Sequence, residues 1–473
     1  MNKLIRKFKN ASPAAKASMA LLFANLVLKG LSLISGPIFT RIMTTEQYGI
    51  VSTFLSWQSL LSVIVTLNLS SGVFNNGMLD FKEDRDSFQF SLLVISTIST
   101  GIFFVIFCLF RQPFLKLFEL PDALVYMMFL YFLFVPAYSF WSGRQRYEYK
   151  YKALTVITIG ISVISMIIGV IAVVLSPDSS DAIAKVFATE GVNVAVGIFF
   201  YIFIIYNSKF KCKISYCKYA LKFNIPLIPH YMSMYVLASS DRIMITKMVN
   251  SSATAIYSVA YTIASVINIV WQSIEASLSP WIYEKLSINE KEPIRKLTKQ
   301  IMLFFAVMCI ICTLFAPEIM AILAPSSYRG GIYVIPSVAA GVFFTALYSL
   351  YMRVELYYKE TGFATAATTV AAILNIILNF IFIRMFGFVA AGYTTMTCYA
   401  VLALFHYINV RKRKYEDVFD NRAFAIISIS VIIISVFISI LYSWNVVRYI
   451  VISLIMLVLF IKRKLIINII KRG

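Results

Sequence analysis

Long apolar runs, each near 20 residues, recur from Ala17 to Ile467 with short polar stretches between them. A helix of about 20 residues spans roughly 30 Å, the thickness of a bilayer's hydrocarbon core. The runs predict fourteen membrane helices at about 17–39, 48–69, 88–110, 123–142, 154–175, 182–206, 223–245, 255–277, 300–316, 332–352, 363–384, 388–409, 423–443 and 447–461. The first run is too long for a cleavable signal peptide, and no small-residue cleavage site follows it. The outer connections are short, as at 178–181, and the largest lies around 317–331; the longest inner connection is about 278–299. That spacing leaves no room for a soluble nucleotide-binding domain. No glycine-rich phosphate loop with Gly-Lys-Ser/Thr occurs. The expected energy source is an ion gradient, a substrate gradient or downstream consumption of the product.

The chain also partly repeats itself. A shift of 209 residues places Tyr48 on Tyr257, Thr53 on Thr262, Ser56 on Ser265 and Ser70 on Ser279. The same shift places Arg144 on Arg353, Tyr149 on Tyr358 and Lys150 on Lys359. With a shift of 201, Arg41-Ile42-Met43 falls on Arg242-Ile243-Met244, so one eight-residue insertion reconciles the two registers. The expected fold is all-α: a polytopic membrane protein with two pseudo-symmetric six-helix lobes plus two C-terminal helices. The first lobe is 1–206, the second 207–422 with a cytoplasmic linker at 207–222, and the appended pair with its basic tail is 423–473. Duplicated bundles of this kind are the usual construction of alternating-access transporters, with substrate between the halves. The appended pair, as in Val431-Ile432-Ile433-Ile434, is almost uniformly apolar and fits lipid contact.

Composition agrees with a membrane class: 60% of the 473 residues are hydrophobic and only 14% charged, against about a quarter charged in soluble domains. The net charge of +21 is explained by its placement. With the N-terminus inside, the inner segments hold 33 Lys and Arg and the outer segments and outer helix ends hold 8. This asymmetry predicts cytoplasmic termini and localisation to the cell membrane. The basic inner face suits anionic lipid, and no nucleic-acid partner is needed. Cys108, Cys309, Cys312 and Cys398 sit in apolar spans, while Cys212 and Cys217 fall in a reducing inner loop, so no disulfide framework is expected. Cys309-x-x-Cys312 has redox spacing without a βαβ context and reads as packing. No metal or other cofactor is expected.

The charges inside the spans carry the candidate chemistry, because each costs about 2.5–3.5 kcal/mol to insert at a helix centre. Lys29 lies near the middle of the first span. Asn25, Lys29, Ser32 and Gly36 share one face at helical spacing, a polar stripe that suits a lumen, or else a tie to another helix. Arg41 and Arg242 close the outer ends of spans 1 and 7 at repeat-equivalent positions, as ligands or as interfacial anchors; Asp241 adjoins the second. Lys185 has Asp181 four residues before it, which allows a local ion pair or a ligand contact. Glu190 lies deeper in the same span. Glu275 shares a face with Gln272 and has three possible roles: binding a cation, taking a proton, or pairing with Lys29. Pro226 and Pro229 should break the start of span 7, as Gly36-Pro37 should break span 1, which points to gating. His230 and His406 are the two histidines; each has a titration range near neutrality, with a structural role the alternative. Arg144-Gln145-Arg146-Tyr147-Glu148-Tyr149-Lys150 and Arg353-Val354-Glu355-Leu356-Tyr357-Tyr358-Lys359 read as solvated anchors or as a basic vestibule for a phosphorylated lipid.

Three segments together resemble a known family: Gly36-Pro37-Ile38-Phe39-Thr40-Arg41-Ile42-Met43 with Tyr48-Gly49; Phe74-Asn75-Asn76-Gly77-Met78 before Asp84-Arg85-Asp86; and Asn224-Ile225-Pro226-Leu227-Ile228-Pro229-His230 with Asp241-Arg242. They look like the Wzx-type polysaccharide flippases of the MOP exporter superfamily, and the likeness runs over nearly the whole chain. The resemblance implies two six-helix lobes around a cationic cavity, often with two further helices. It implies an undecaprenyl-diphosphate-linked oligosaccharide as cargo, moved from the inner to the outer leaflet for O-antigen, capsule or related surface polysaccharide. Basic residues would hold the diphosphate, here Lys29 with Arg41, Lys185 and Arg242, and the neutral Asn25 on the Lys29 stripe joins them as a substrate-binding candidate. Glu190, Glu275, Asp241, His230, Pro226 and Pro229 would serve ion coupling or gating. A polysaccharide polymerase and chain-length machinery are the protein partners it implies, beside membrane lipids. The alternatives are a lipid II flippase and a multidrug or cation antiporter of the same superfamily. A membrane polymerase or ligase should instead carry a substantial external catalytic loop.

Overall fold

The computed structural model describes residues 13–359 and 361–461, and among these all regular structure is helical. The chain divides into two compact units, Met1–Tyr235 and Val236–Gly473. The first contains α1 (Pro13–Ile42), α2 (Thr45–Val65), α3 (Gly72–Asp80), α4 (Arg85–Leu109), α5 (Arg111–Phe118), α6 (Asp122–Tyr147), α7 (Tyr151–Leu175), α8 (Asp181–Ser208) and α9 (Ile214–Asn224). Helix α10 (Ile228–Met248) carries the chain onward. The second unit continues with α11 (Ser251–Ser265), α12 (Ile267–Ser287), α13 (Lys291–Leu314), α14 (Ala316–Leu323), α15 (Ile335–Tyr357), α16 (Thr361–Phe386), α17 (Val389–Lys412), α18 (Asn421–Phe437) and α19 (Asn445–Ile461).

Eleven helical segments among the described residues are long and apolar enough to cross a membrane, so this is a multi-pass membrane protein. The other expected spans coincide with α1, α10 and the shorter apolar helix α19.

Helix starts follow local chemistry. Thr44, Asn250 and Asp420 each accept a backbone N–H three residues on through a side-chain oxygen, satisfying a donor the first turn leaves over. In the first unit α6 and α8 touch backbone to backbone: a Cβ on Gly197 would lie 2.7 Å from the Phe134 carbonyl. Trp141 and Phe200 stack beside this contact, with ring centroids 4.2 Å apart. In the second unit α15 is the most enclosed helix. The fully buried Trp271 of α12 donates its indole N–H to Ser349 Oγ on α15 at 3.1 Å.

Two local expectations change. The linker 207–222 is not a loop throughout, because its second half forms α9. Tyr216, Tyr219, Ala220 and Phe223 fall at helical spacing and pack into the first unit's core. The Tyr216 and Tyr219 hydroxyls donate to Asp84 at 2.9 Å and Asp80 at 2.7 Å. Pro37 does not break α1, which continues to Ile42. One proline removes one ladder bond, and a membrane helix tolerates that where neighbouring side chains serve freed groups. The bond lost is the one to the Leu33 carbonyl, while Thr40 Oγ1 and Arg41 Nη1 add side-chain donors to the Pro37 carbonyl one turn on. At Pro226 the chain does change form, passing through a 3₁₀ turn at Ile225–Leu227 before α10.

The connection between α17 and α18 and the start of α18 are tied to α13 by Lys291 on Asp417 and Lys299 on Asp420, each at 2.8 Å. The Lys299 ammonium first, and then the Ala423 N–H, hold the Asp420 carboxyl below its ordinary value. The folded value is the depressed one, so this stabilisation is complete above the ordinary carboxylate range near pH 4. It is lost as pH falls through the lower folded value. Asp420→Ala should cost about 1 kcal/mol through the lost cap. Asp420→Asn keeps the cap and loses only an exposed ion pair, a smaller effect. Thermal melting in detergent at pH 7 should rank the two in that order, and equal losses would remove the cap from the account.

Candidate functional site: polar groups within the apolar units

Lys29 is exposed on α1, as is Ser32, and a Cβ on Gly36 would meet nothing within 4 Å. Ala24, Phe39 and Met43 of the same helix are buried instead. The stripe therefore lies on the side of α1 that its own unit leaves open. The Asn25 side chain lies outside the described residues. Arg41 is exposed and donates Nη1 to the Pro37 carbonyl at 2.9 Å. Arg242 does the same to Ala238, four residues back, at 3.0 Å. The repeat-equivalent arginines thus make the same local bond. Arg242 also lies over the Tyr261 ring, 4.5 Å from its centroid.

Lys185 does not pair with Asp181. Its ammonium lies over the rings of Phe39, at 3.9 Å, and Tyr48, at 4.6 Å, which brings α1, α2 and α8 together. Asp181 is buried and accepts from Ser176 Oγ at 2.8 Å. An aromatic face attracts a desolvated cation by up to about 2 kcal/mol, enough to compete with a helical ion pair worth a few tenths. Glu190 is buried on α8, with Oε2 accepting from Asn193 Nδ2 at 2.9 Å.

The most developed polar centre surrounds Asp241, which is fully buried on α10. Its Oδ2 accepts from the Tyr257 hydroxyl and from Thr395 Oγ1 at 2.8 Å; its Oδ1 accepts from Asn379 Nδ2 at 2.7 Å. Asn375 joins the network through Asn379 and Thr395, both at 3.1 Å, and takes Ser240 Oγ at 2.9 Å. Thr394 donates to Asn379 Oδ1. A carboxylate oxygen, amide oxygens and hydroxyls converge here from α10, α11, α16 and α17. This donor set suits a proton or a small hard cation. Sequence reading found Asp241 and missed its partners. The available signal was Asn375 and Asn379, one turn apart in an expected membrane span, followed by Thr394-Thr395.

Other charges are already matched. Glu275 is held by Arg353, whose Nη2 and Nε reach Oε1 at 2.6 and 3.2 Å. Arg144 binds Glu148 and Asp86, and Lys150 reaches Glu148 at 2.6 Å. One arginine of each aromatic-charged segment, Arg144 and Arg353, is thus engaged by carboxylates, which weakens the basic-vestibule reading. His406 is fully buried, with Nδ1 2.7 Å from Glu355 Oε2, while Asn409 Nδ2 binds Glu355 Oε1 at 2.8 Å. His230 is half-buried beside Tyr231, just after the 3₁₀ turn. Pro226 and Pro229 are exposed, one in that turn and one in the first turn of α10.

Two solved structures share this helical arrangement. Lipid II flippase MurJ, in an inward closed conformation, superposes with a TM-score of 0.68 and 15% identity, covering 96% of this chain and 100% of that one. An inward-facing multidrug resistance MATE family transporter of the MOP superfamily gives 0.60 and 12% identity, with 82% and 94% covered. The fold is therefore that of the MOP superfamily transporters. A family profile described as Polysaccharide biosynthesis protein matches residues 14–286, more than half of the chain. The protein belongs to that polysaccharide biosynthesis family. The Haloferax volcanii protein described as a probable low-salt glycan biosynthesis flippase, Agl15, is 25% identical over 181 residues. That match covers 36% of this chain and 37% of the length of the curated relative.

Proposed function

We propose that this protein is a flippase for a lipid-linked glycan, working by alternating access and not as an enzyme. Its cargo is an oligosaccharide on undecaprenyl diphosphate, carried from the inner to the outer leaflet of the cytoplasmic membrane for surface polysaccharide assembly. The observation that carries the reading is the stripe on α1. A chain of the polysaccharide biosynthesis family places a lysine mid-span on a helix face left open by its own unit. A charge there is costly against lipid and favourable against an anionic head group. In a low-dielectric passage an ammonium attracts a diphosphate far more strongly than in water. Arg41, Lys185 and Arg242 are the supporting cations, and Asp241 and Glu190 the candidates for a coupling proton or cation. The polyprenyl tail stays in lipid while the polar head crosses. A polymerase with its chain-length machinery would use the product.

Proteoliposomes loaded with labelled undecaprenyl-diphosphate sugar test this reading. The labelled head should become accessible on the far side with time, faster than in protein-free vesicles. Movement of lipid II alone, or export of a cationic dye without movement of the glycan lipid, would replace the reading by one of its alternatives. The accompanying topology has fourteen spans with both termini in the cytoplasm. Ser215→Cys and Lys414→Cys, placed in a cysteine-free background, should resist an impermeant thiol reagent in intact cells and react in inverted vesicles. Labelling in intact cells would reverse the orientation.

A further inference from the structure

The first unit contains a polar cavity of about 220 Å³ that none of the cationic groups above lines. Gln58 and Ser62 of α2 and Thr66, which caps its end, line it four residues apart. Ser139, Tyr131 and Phe132 of α6 form the facing wall. The turn after α2 supplies Asn68 and Ser70. That turn has two consecutive residues in the left-handed region, Leu67 at φ 54° and Asn68 at φ 46°. Such geometry is costly outside glycine and is concentrated at ligand-binding places. The turn is held from below by Asn224, whose side-chain amide donates to the Leu67 carbonyl just before the Pro226 turn.

The hydrogen-bond inventory of the wall selects a ligand. Ser62 Oγ donates its proton to the Ser59 carbonyl at 2.8 Å, Thr66 Oγ1 to the Ser62 carbonyl at 2.7 Å and Ser139 Oγ to the Val135 carbonyl at 3.4 Å. With their protons committed to backbone, these hydroxyls offer oxygen lone pairs. The Gln58 Nε2 is buried without a close hydrogen-bond partner and lies beside the Glu190 carboxylate, so it offers the cavity a donor next to one acid. The lining contains neither Lys nor Arg, and neither Asp nor Glu. An ionised phosphate brings only acceptors and would face acceptors with no cation to hold it. A sugar hydroxyl both donates and accepts, and the apolar face of its ring suits Tyr131 and Phe132. The volume lies below the roughly 300 Å³ at which drug-sized pockets begin, so one ring fits and an oligosaccharide does not.

We propose that this cavity is a subsite for a single neutral pyranose ring, distinct from the cationic groups assigned to the diphosphate. It rests on the flippase reading for the source of its ligand, the carbohydrate of a lipid-linked glycan. It makes the first unit the part of the protein that reads sugar identity.

The test uses the full chain in phospholipid nanodiscs and three probes: methyl glucopyranoside, methyl galactopyranoside and methyl 2-acetamido-2-deoxyglucopyranoside. Saturation-transfer NMR should show at least one binding saturably through its ring protons. Ser62→Leu, which fills the cavity, should weaken that binding at least tenfold. Gln58→Ala, which removes bulk and so avoids overpacking, should weaken it several-fold; it is the deciding variant if Ser62→Leu does not fold. Absence of binding by all three probes, or undiminished binding in Gln58→Ala, would overturn the proposal. The two readings separate cleanly. Sugar binding in a protein that moves no lipid-linked glycan keeps the subsite and removes the flippase; glycan movement without sugar binding does the reverse.

Discussion

Lys29→Ala is expected to insert and fold like the parent protein and to lose glycan-lipid movement. Removing a mid-span charge lowers the insertion cost by about 2.5–3.5 kcal/mol, so the variant should reach the membrane at least as well. Lys29 is exposed on its own unit, so truncation leaves no packed cavity there. What disappears is a cation on the open polar stripe of α1. Lys29→Arg should retain part of the activity, because charge is kept while a compact ammonium becomes a planar fork with different reach. The rates should be compared in proteoliposomes at equal protein level. If Lys29→Ala moves the labelled diphosphate-linked sugar at the parent rate, the stripe is a structural feature and the diphosphate is held elsewhere.

The second large effect is expected at Asp241, where stability and transport should separate between two variants. Asp241→Leu leaves the Tyr257 hydroxyl, Thr395 hydroxyl and Asn379 amide without their shared acceptor inside a buried site. Each orphaned buried donor costs about 1–3 kcal/mol, and removing one charged member of a buried network costs about 3–5 kcal/mol. A clear fall in melting temperature and in membrane yield should follow. Asp241→Asn keeps the shape, and the hydroxyls can turn to accept from the new amide, so it should fold with a smaller loss. It should nevertheless lose any stimulation of transport by a proton or cation gradient, because the negative charge is gone. Gradient-dependent uptake at two pH values and with and without sodium reads this directly. Full gradient stimulation in a folded Asp241→Asn protein would leave Asp241 as a tie among α10, α11, α16 and α17 and nothing more.

Much of this protein could be read before any tertiary structure, because a bilayer imposes a simple rule. An apolar run of about 20 residues becomes a helix, since no other local form satisfies its backbone in hydrocarbon. Eleven of the expected spans coincide with helical segments long and apolar enough to cross a membrane, and the Arg41 and Arg242 pair found from the repeat makes the same bond four residues back in each case. The mid-span lysine and the buried Asp241 were visible as charges where charge is costly. Their partners were not, because a contact between α10 and α16 joins residues 138 positions apart and leaves no mark on periodicity. Helical spacing suggested Asp181 for Lys185, and the fold gave it Phe39 and Tyr48, since only packing shows which ring lies above a cation. Charge alone did not show that Glu275 is held by Arg353, 78 positions away, which packing supplied. The linker helix α9 was amphipathic enough to be seen, but its short length hid it among loop residues. Hydrophobic period and charge cost thus determined the membrane class, the helices and the unusual charges. Tertiary structure alone decided which charges were already neutralised, which polar face stayed open, and that uncharged serines, a threonine and a glutamine on two helices enclose a common cavity. The reason is physical: insertion into a bilayer acts on each segment by itself, whereas a site is made by atoms that meet only after the helices pack.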